Sequence, residues 1–359
     1  MRVLQLIDSL RPGGAERMSV NYANALTTQI DASFLCCTRQ EGLLKKQLSA
    51  EVGYLFLNKQ RTIDFHALLK LREFLKENKV DLLQAHGTSY FMGVLLKISL
   101  PQLKLVWHDH LGERAGKNLK PGLLSHFSRY FDGIITVTPH LKKWAVKNLH
   151  CKKVDFIPNF SSIKEQLITS SLKLKGKEGF KIIHLANLKQ PKDHLTLLKA
   201  FQKLAQIHSS ASLHLVGKDE KDSYSKELIK FLKKNDLEQK VHFYGEQDEI
   251  KSLLVQADVG VLSSSSEGLP VALLEYGLAR LPVICTGVGE CEGVVGGAGL
   301  VVPPKNPEAM LVALNFYFEN EEERGKDSLA FHNRILEFYS EKAVIKKLLW
   351  FYQEVDTRL

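Results

Sequence analysis

Short apolar runs alternate with helix-length amphipathic stretches along almost all of the 359 residues, and this alternation constrains the fold more than any other feature. Continuous apolar runs are typical of parallel strands buried on both faces, and the stretches between them have the length of crossover helices. Helices are predicted at Ala15–Leu26, Phe65–Asn78 and Pro139–Leu149. Strands are predicted at RVLQLID, SFLCC, VDLLQAH, KLVWH and GIITVT, and then at KIIHLAN, SLHLVG, VHFYG, DVGVLS and LPVICT.

The two series of strands predict two Rossmann-like, doubly wound α/β domains. The chain is also longer than a usual single-domain core. KVDFIPNF closes the first series and a polar stretch follows, so the domains are predicted at residues 1–162 and 163–339. The apolar spacing of the tail predicts a last helix at about 340–359. Two such domains are expected to face each other across a cleft at their strand ends, where these folds bind ligands.

The sequence shows no sign of export or of a membrane span. No apolar run reaches the ~18 residues that a span needs, since Lys97, Pro101 and Lys104 interrupt the best stretch. Asp8 cuts the amino-terminal apolar run short, which favours a buried strand over a secretory signal. The five cysteines form no metal-ligand spacing, and their odd number is typical of reduced thiols. A cytoplasmic location is therefore predicted.

Positive charge is concentrated in residues 97–153, called here the basic tract. It holds eleven Lys and Arg against three Asp and Glu, which is +8 of the net +9. The excess either solvates an ordinary surface or attracts an anionic partner. No aromatic-and-basic recognition module is evident, so nucleic acid is not expected, whereas an anionic membrane surface fits. Five rings of the tract would reach a headgroup boundary if exposed: Trp107, Phe127, Tyr130, Phe131 and Trp144.

The most informative segment is SSSSEGLPVALLEYGLARLPVICT, residues 263–286. A strand ends in a serine-rich loop, Glu267 opens a turn at Gly268, Leu269 and Pro270, and a helix carrying Glu275 follows. The two carboxylates can accept hydroxyl hydrogen bonds from a sugar or ribose diol. The turn and the helix start favour phosphate. The alternative is that Glu267 caps the helix and Glu275 is a surface residue.

Three further strand ends carry candidate residues. In HLANLKQPKDHLTLLKAF, residues 184–201, a lysine at the helix start can pair with a departing diphosphate; solvated surface lysines are the alternative. In IDSLRPGGAERM, Gly13 and Gly14 allow close backbone approach to a ligand, although any tight turn also needs glycine. In KLVWHDHLGE, His108 and His110 flank an aspartate, but the sequence offers no further metal ligand.

These motifs together resemble GT-B-fold retaining glycosyltransferases of family 4. The resemblance rests on S-x-x-E-G-x-P-x-x-x-x-E with a following Pro-Val strand, and on G-G-A-E-R after the first strand. It implies that Glu275 binds the ribose of a nucleotide sugar and that Glu267 contacts the sugar. IPNFSS is similar to the family's interdomain hinge. The last helix is then expected to pack back on the first domain.

The resemblance implies that positively charged side chains bind the diphosphate. The family usually has Gly-Arg-x-x-x-x-Lys in this region; this sequence keeps Lys192 but has Asn187 in place of the arginine. Lys189 can substitute as a point charge, though not as a bidentate fork. The segment TGVGECEGVVGGAGLVVPP departs from the family's Gly-Gly-x-Pro-Glu, since Glu290 and Cys291 replace Gly and Pro.

In the first domain the resemblance implies that Gly14, with Gly13, reaches the donor phosphates and the acceptor side. It also implies a histidine beside the transferred sugar. His108 and His110 are both candidates, and His110 is preferred because Gly112 follows it. The predicted catalytic residues are His110, Lys192 and Glu267. The predicted donor-binding residues are Gly14, Asn187, Lys189, Lys192, Glu267, Gly268, Leu269 and Glu275.

The predicted activity is transfer of a hexosyl group, with retention, from a nucleotide-diphosphate sugar to a sugar or lipid-linked sugar acceptor, in polysaccharide or glycolipid assembly. The chain has no Asp-x-Asp, so neither a metal nor another cofactor is expected. Alternatives are a nucleotide-sugar epimerase or a phosphorylase on the same fold, or a two-domain small-molecule binding protein. A nicotinamide dehydrogenase is disfavoured because neither strand–helix turn shows G-x-G-x-x-G.

Overall fold

The computed structural model describes residues 1–111, 120–160, 172–176, 178–247 and 250–356. The chain divides into two compact units. The first unit is Met1–Phe160 together with Glu341–Leu359, and the second unit is Ser161–Ser340. The polypeptide therefore returns to the first unit through its terminal helix.

The first unit is built on a seven-stranded sheet in which all neighbouring strands are parallel. The strand order is β3-β2-β1-β4-β5-β6-β7. Its strands are β1 (Arg2–Ser9), β2 (Ala32–Gln40), β3 (Gly53–Phe56), β4 (Leu82–His86), β5 (Lys104–Asp109), β6 (Gly133–Thr136) and β7 (Val154–Phe156). In the register of β4 with β5, His86 lies opposite His108.

Helices cover this sheet on both faces. The described helices of the first unit are α1 (Gly14–Leu26), α2 (Phe65–Glu77), α3 (Tyr90–Ser99), α4 (Leu123–Phe127) and α5 (Pro139–Asn148), and the terminal helix, numbered α13 below, is Glu341–Val355. Local sequence sets their starts. Asp64 caps α2 by accepting from the Ala67 N–H, and Thr138 caps α5 ahead of a proline at its first position.

The second unit repeats the plan with six parallel strands in the order β10-β9-β8-β11-β12-β13. The strands are β8 (Lys181–Leu185), β9 (Ser212–Val216), β10 (Val241–Phe243), β11 (Val259–Leu262), β12 (Val283–Thr286) and β13 (Leu300–Val302). The described helices are α6 (His194–Ile207), α7 (Ser223–Lys234), α8 (Lys251–Leu254), α9 (Val271–Leu278), α10 (Cys291–Val295), α11 (Pro307–Glu319) and α12 (Glu321–Phe338). α13 (Glu341–Val355) then belongs to the first unit.

The terminal helix α13 is part of the first unit's core. It buries six side chains against the sheet: Val344, Ile345, Leu348, Phe351, Tyr352 and Val355. Gly133 in β6 accommodates it, since a Cβ there would lie 2.8 Å from the Phe351 ring. Burial on this scale contributes about 1.5–3 kcal/mol per large apolar side chain.

The fold confirms the predicted class and all ten strands named above, and β7 lies within KVDFIPNF, the segment that closes the first series. It adds two short strands, β3 and β13, which the sequence analysis did not predict. Both are edge strands and both are only partly buried. Partial burial weakens the continuous apolar signal by which the central strands were found. All five cysteines are buried and free. Within the described residues, each helix falls short of the length and apolarity that crossing a membrane requires.

Candidate active site

The carboxyl ends of β8 and β11 bring Lys192 and Glu267 together in the second unit. The Lys192 Nζ donates to Glu267 Oε1 at 2.6 Å. Lys192 ends a short 3₁₀ turn before α6, and Glu267 follows the serine-rich loop after β11. The Glu267 side chain is 9% exposed, against 32% for Lys192. The pair joins two motifs that lie 75 residues apart in the chain.

Three serines after β11 fix this arrangement. Ser264 Oγ donates to the same Glu267 oxygen at 2.6 Å. Ser263 Oγ donates to the Lys192 carbonyl at 3.0 Å, and the Ser265 N–H donates to the Pro191 carbonyl at 2.8 Å. Ser263 and Ser264 are fully buried. The sequence indicated the serine-rich loop but not these roles, which depend on how the loops fold together.

The turn from Gly268 to Pro270 leads directly into α9. Pro270 is the N-cap, and its side chain cannot accept a hydrogen bond from the first turn of the helix. Gly289, at φ 55°, packs against this turn; a Cβ there would overlap the Glu267 carbonyl oxygen. The Glu290 N–H donates to the Gly268 carbonyl at 3.1 Å. Although the 287–292 segment departs from the family pattern, it therefore still supports the turn, and Gly289 is a residue that the sequence analysis missed.

Glu275 lies half-buried in the middle of α9. Its neighbour Tyr276 is fully buried and fixes the helix, because its hydroxyl accepts from the Leu185 N–H at 2.8 Å and donates to the Val261 carbonyl at 3.0 Å. Gly260 makes room for this ring, since a Cβ at that position would lie 2.6 Å from it. Helix α9 is thus anchored to the carboxyl ends of β8 and β11.

Asn187 and Lys189 lie on the loop after β8 and face another part of the unit. Asn187 Oδ1 accepts from the Lys218 N–H at 2.9 Å, which ties this loop to the loop after β9. Lys189 Nζ lies 3.7 Å from Glu220 and is 55% exposed. Of the lysines on this loop, it is Lys192 whose ammonium group meets Glu267.

The glycine loop of the first unit precedes α1. Gly13 is the N-cap in an extended conformation, at φ −160°. A Cβ on Gly13 would overlap the Glu16 carboxylate, whereas a Cβ on Gly14 would meet nothing within 4 Å. The open side of this loop therefore lies at Gly14.

His108 and His110 lie with a third histidine, His86, in a buried group called here the histidine cluster. His86 Nδ1 lies 2.9 Å from His110 Nε2, and its Nε2 lies 2.7 Å from Gln5 Oε1. The rings of His108 and His110 are stacked with centroids 4.0 Å apart. The sequence analysis missed His86, although the predicted strand VDLLQAH ends with it, because its contact with the other two depends on the pairing of β4 with β5.

Burial keeps the histidine cluster neutral. Desolvation lowers the pKa of His86 and His108 well below the usual histidine value, and it lowers the pKa of His110 to about 3. Neighbouring rings add to the effect on the first two. His110 is the most accessible of the three, being half-buried. Gly112, on which the preference for His110 rested, lies outside the described residues.

Part of the basic tract is neutralised locally. Lys97 and Lys104 both pair with Asp132, at 2.8 and 3.7 Å, and Lys142 pairs with Asp155 at 2.8 Å. The idea that all five rings reach a headgroup boundary is wrong for three of them. Trp107, Phe131 and Trp144 are buried in the core, since they fill space beneath the helices.

Other side chains of the tract are exposed. Leu123 in α4 is 73% exposed, and Val146 in α5 is 60% exposed between Lys143 and Lys147. Tyr130 is 42% exposed.

The two doubly wound units, each with candidate residues at its strand ends, define the class of protein. Two family models match the chain: Glycosyltransferase Family 4 over residues 12–163 and Glycosyl transferases group 1 over residues 169–327. The chain belongs to the GT-B glycosyltransferases of the family 4 type.

The curated relatives include a glycosyltransferase of O-antigen biosynthesis and one named for an undecaprenol-linked substrate. The O-antigen biosynthesis glycosyltransferase WbnH of Escherichia coli is 27% identical over 297 residues, covering 81% of this chain and 82% of that protein. The GalNAc-alpha-(1->4)-GalNAc-alpha-(1->3)-diNAcBac-PP-undecaprenol alpha-1,4-N-acetyl-D-galactosaminyltransferase of Campylobacter jejuni is 26% identical, covering 77% and 76%. Among solved structures, Anabaena Alr3699/HepE in complex with UDP is 18% identical, with a TM-score of 0.80, covering 99% of this chain and 100% of that one. That similarity concerns the fold.

Proposed function

We propose that this glycosyltransferase transfers a hexosyl group with retention from a nucleotide-diphosphate sugar to an acceptor hydroxyl. The observation that carries the proposal is the Lys192–Glu267 pair at the carboxyl ends of β8 and β11, beside the start of α9. A cation and a helix N-terminus suit a diphosphate, and nearby carboxylates suit sugar and ribose hydroxyls. The similarity to a protein solved with UDP supports a nucleotide donor.

Each residue then has a definite task. Glu275 accepts hydrogen bonds from the ribose diol, and Glu267 accepts from the sugar. Lys192 neutralises the charge that grows on the leaving diphosphate, together with the N–H groups of the Gly268–Leu269 turn. Gly14 allows the first unit's backbone to approach the donor, and His110, or else His108, lies beside the transferred sugar.

In the proposed reaction the bond from the anomeric carbon to the diphosphate oxygen breaks, and its electron pair stays on that oxygen. The acceptor hydroxyl attacks the oxocarbenium-like carbon from the face that the diphosphate leaves. Its proton passes to the departing diphosphate. Glu267 Oε1 is held by Lys192 and Ser264, which supports a binding role in place of a covalent one.

The diphosphate departs in this proposal without a divalent metal, since a lysine, N–H groups and a helix end supply the stabilisation. Turnover is therefore expected to be the same with and without added Mg²⁺ or Mn²⁺. A strict requirement for either ion would contradict this part of the proposal.

We further propose a lipid-linked sugar acceptor at an anionic membrane surface on the cytoplasmic side, in the assembly of a cell-surface polysaccharide or glycolipid. Support comes from the O-antigen and undecaprenol-linked substrates in the names of the relatives. Exposed Leu123 and Val146, with basic residues around them, are suited to a headgroup boundary.

The first experiment identifies the donor. Thermal shifts with UDP, GDP and ADP show which nucleotide raises the melting temperature, because a ligand that binds only the native state stabilises it. Nucleotide-diphosphate sugars that contain this nucleotide are then incubated with lipid-linked acceptors. The anomeric configuration of the product is determined by NMR. A product of inverted configuration would refute retention, and absence of a shift with every nucleotide would refute the donor site.

A further inference from the structure

The histidine cluster brings three imidazoles together from the ends of two neighbouring strands. Its centroid distances are 5.2 Å for His86–His108, 5.2 Å for His86–His110 and 4.0 Å for His108–His110. One ring nitrogen of each lies within 4.8 Å of one ring nitrogen of each of the others. Such convergence of three nitrogen ligands is the geometry in which proteins hold a divalent metal ion.

Two nitrogens of the histidine cluster have no hydrogen-bond partner among the residues that the structure describes. They are His108 Nε2 and His110 Nδ1, and both atoms are inaccessible to solvent. Buried polar atoms are nearly always hydrogen-bonded, so His108 Nε2 calls for an ion or ligand. His110 Nδ1 is not the ligand atom of its ring, because the other nitrogen of that ring is the one beside His86. Each of the other ring nitrogens is held by a neighbour.

These neighbours prepare the rings as ligands. Gln5 Oε1 accepts from His86 Nε2, which leaves the lone pair of His86 Nδ1 facing the cluster. The Gln84 amide lies 3.0 Å from His108 Nδ1 and is held from its other end by the Tyr352 hydroxyl. Because a hydroxyl both donates and accepts, the amide can turn its oxygen to His108 Nδ1–H and leave Nε2 free to coordinate.

We propose that the histidine cluster binds one first-row divalent metal ion, Zn²⁺ in the first instance, through one nitrogen of each of His86, His108 and His110, with an oxygen ligand from solvent in the fourth position. Tetrahedral Zn²⁺ with Zn–N bonds of about 2.0–2.1 Å separates its ligand nitrogens by about 3.3 Å. His86 Nδ1 and His110 Nε2, 2.9 Å apart, need to move by only a few tenths of an ångström.

This site goes beyond the proposed function, although it shares His108 and His110 with it. It differs from the expectation of a metal-free chain, which rested on the absence of Asp-x-Asp and of a third ligand beside His108 and His110. The imidazole set favours Zn²⁺ and Co²⁺ over Mg²⁺, which prefers oxygen ligands.

The test uses the full chain without an affinity tag, stripped with a chelator and dialysed into metal-free buffer. Calorimetric titration with Zn²⁺ is expected to give one equivalent, and Co²⁺ is expected to give the intense visible bands of a tetrahedral site. His86→Gln and His108→Gln are each expected to weaken binding by ~100-fold or more. The matched control is His214→Gln, which removes a histidine stacked on His242 in the second unit and is expected to bind Zn²⁺ as the wild type does.

A further variant keeps the proposal testable if the histidine variants fail to fold. Gln5→Leu keeps all three imidazoles but removes the partner of His86, and it is expected to weaken Zn²⁺ binding by ~10–100-fold. Wild-type protein that takes up no stoichiometric metal overturns the proposal. So does equal Zn²⁺ affinity in the wild type, His86→Gln and Gln5→Leu. Neither result bears on sugar transfer, because the readout is metal binding alone.

Discussion

The two units place different chemistry at the same edge of their sheets, the carboxyl ends of neighbouring parallel strands. At the carboxyl ends of β4 and β5 the first unit holds three neutral imidazoles, two buried and one half-buried. At the carboxyl ends of β8 and β11 the second unit holds a lysine and a glutamate within 2.6 Å. Both sets are positioned by parallel strands, so the difference arises from the side chains and their burial.

This difference shows that solvation determines the charge that each site presents to a ligand. Desolvation lowers the histidine pKa values, so the first unit presents uncharged nitrogens that suit hydroxyls or a metal ion. Lys192 is about a third exposed, and its charge is balanced by a nearby carboxylate. A charged group in this setting suits a diphosphate, whose charge increases as it leaves.

The largest effect is expected for Lys192→Ala. Removing the cation should lower kcat on the order of 10²-fold, with a smaller rise in the donor KM, since the lysine meets charge that grows in the transition state. Steady-state kinetics measure both constants. The control is Lys203→Ala, whose ammonium pairs with Glu308 on the surface. If Lys189→Ala is the more damaging change, the diphosphate cation has been assigned to the wrong lysine.

A second substitution tests whether the two units behave independently. His86→Ala leaves Gln5 and His110 without their partners and should cost about 2 kcal/mol of the first unit's unfolding free energy. Tryptophan fluorescence reports this unit alone, because Trp107, Trp144 and Trp350 all belong to it. The exposed His126→Ala serves as the control.

Nucleoside diphosphate affinity should change little in His86→Ala. A large loss of affinity would show that the histidine cluster and the donor site are not the independent regions that the comparison assumes.

The third prediction concerns the ribose. Glu275→Ala should weaken nucleoside diphosphate binding by about tenfold, and Glu275→Gln by less, because the amide keeps one acceptor for the diol. Calorimetric titration measures both affinities, with the exposed Glu238→Ala as the control. Unchanged affinity in both Glu275 variants would remove this residue from the site.

The smallest effect concerns the membrane. Lys143 and Lys147, one turn apart on α5, flank the exposed Val146 in the first unit, and each should contribute about 1 kcal/mol, or about fivefold, to binding of anionic vesicles. The double change to Gln should weaken co-sedimentation accordingly, and salt should weaken it in the wild type. Lys230 and Lys234, equally spaced on α7 of the second unit, provide the matched control.

Equal binding to neutral and anionic vesicles, or none to either, would favour a water-soluble acceptor. An equal loss from the α7 double variant would mean that net charge, and not the face of α5, attracts the membrane.

Most of the fold was predictable because the central strands are buried on both faces and read as continuous apolar runs. The edge strands β3 and β13 were not, because partial burial breaks that signal. In the donor region the sequence analysis selected Lys192, Glu267 and Glu275 from local motifs and resemblance. It could not select Gly289, whose close approach to Glu267 depends on how two loops pack.

The sequence by itself determined the class of fold, the two series of strands and the residue types at their ends. These depend on local hydrophobicity, spacing and turn chemistry, all of which are local properties of the sequence. Only the tertiary structure decided which strand ends are neighbours. His86 lies 24 residues from His110, and Lys192 lies 75 from Glu267. Parallel pairing brings such residues together because each crossover returns the chain to the same edge of the sheet, and their contacts cannot be read from spacing in the sequence.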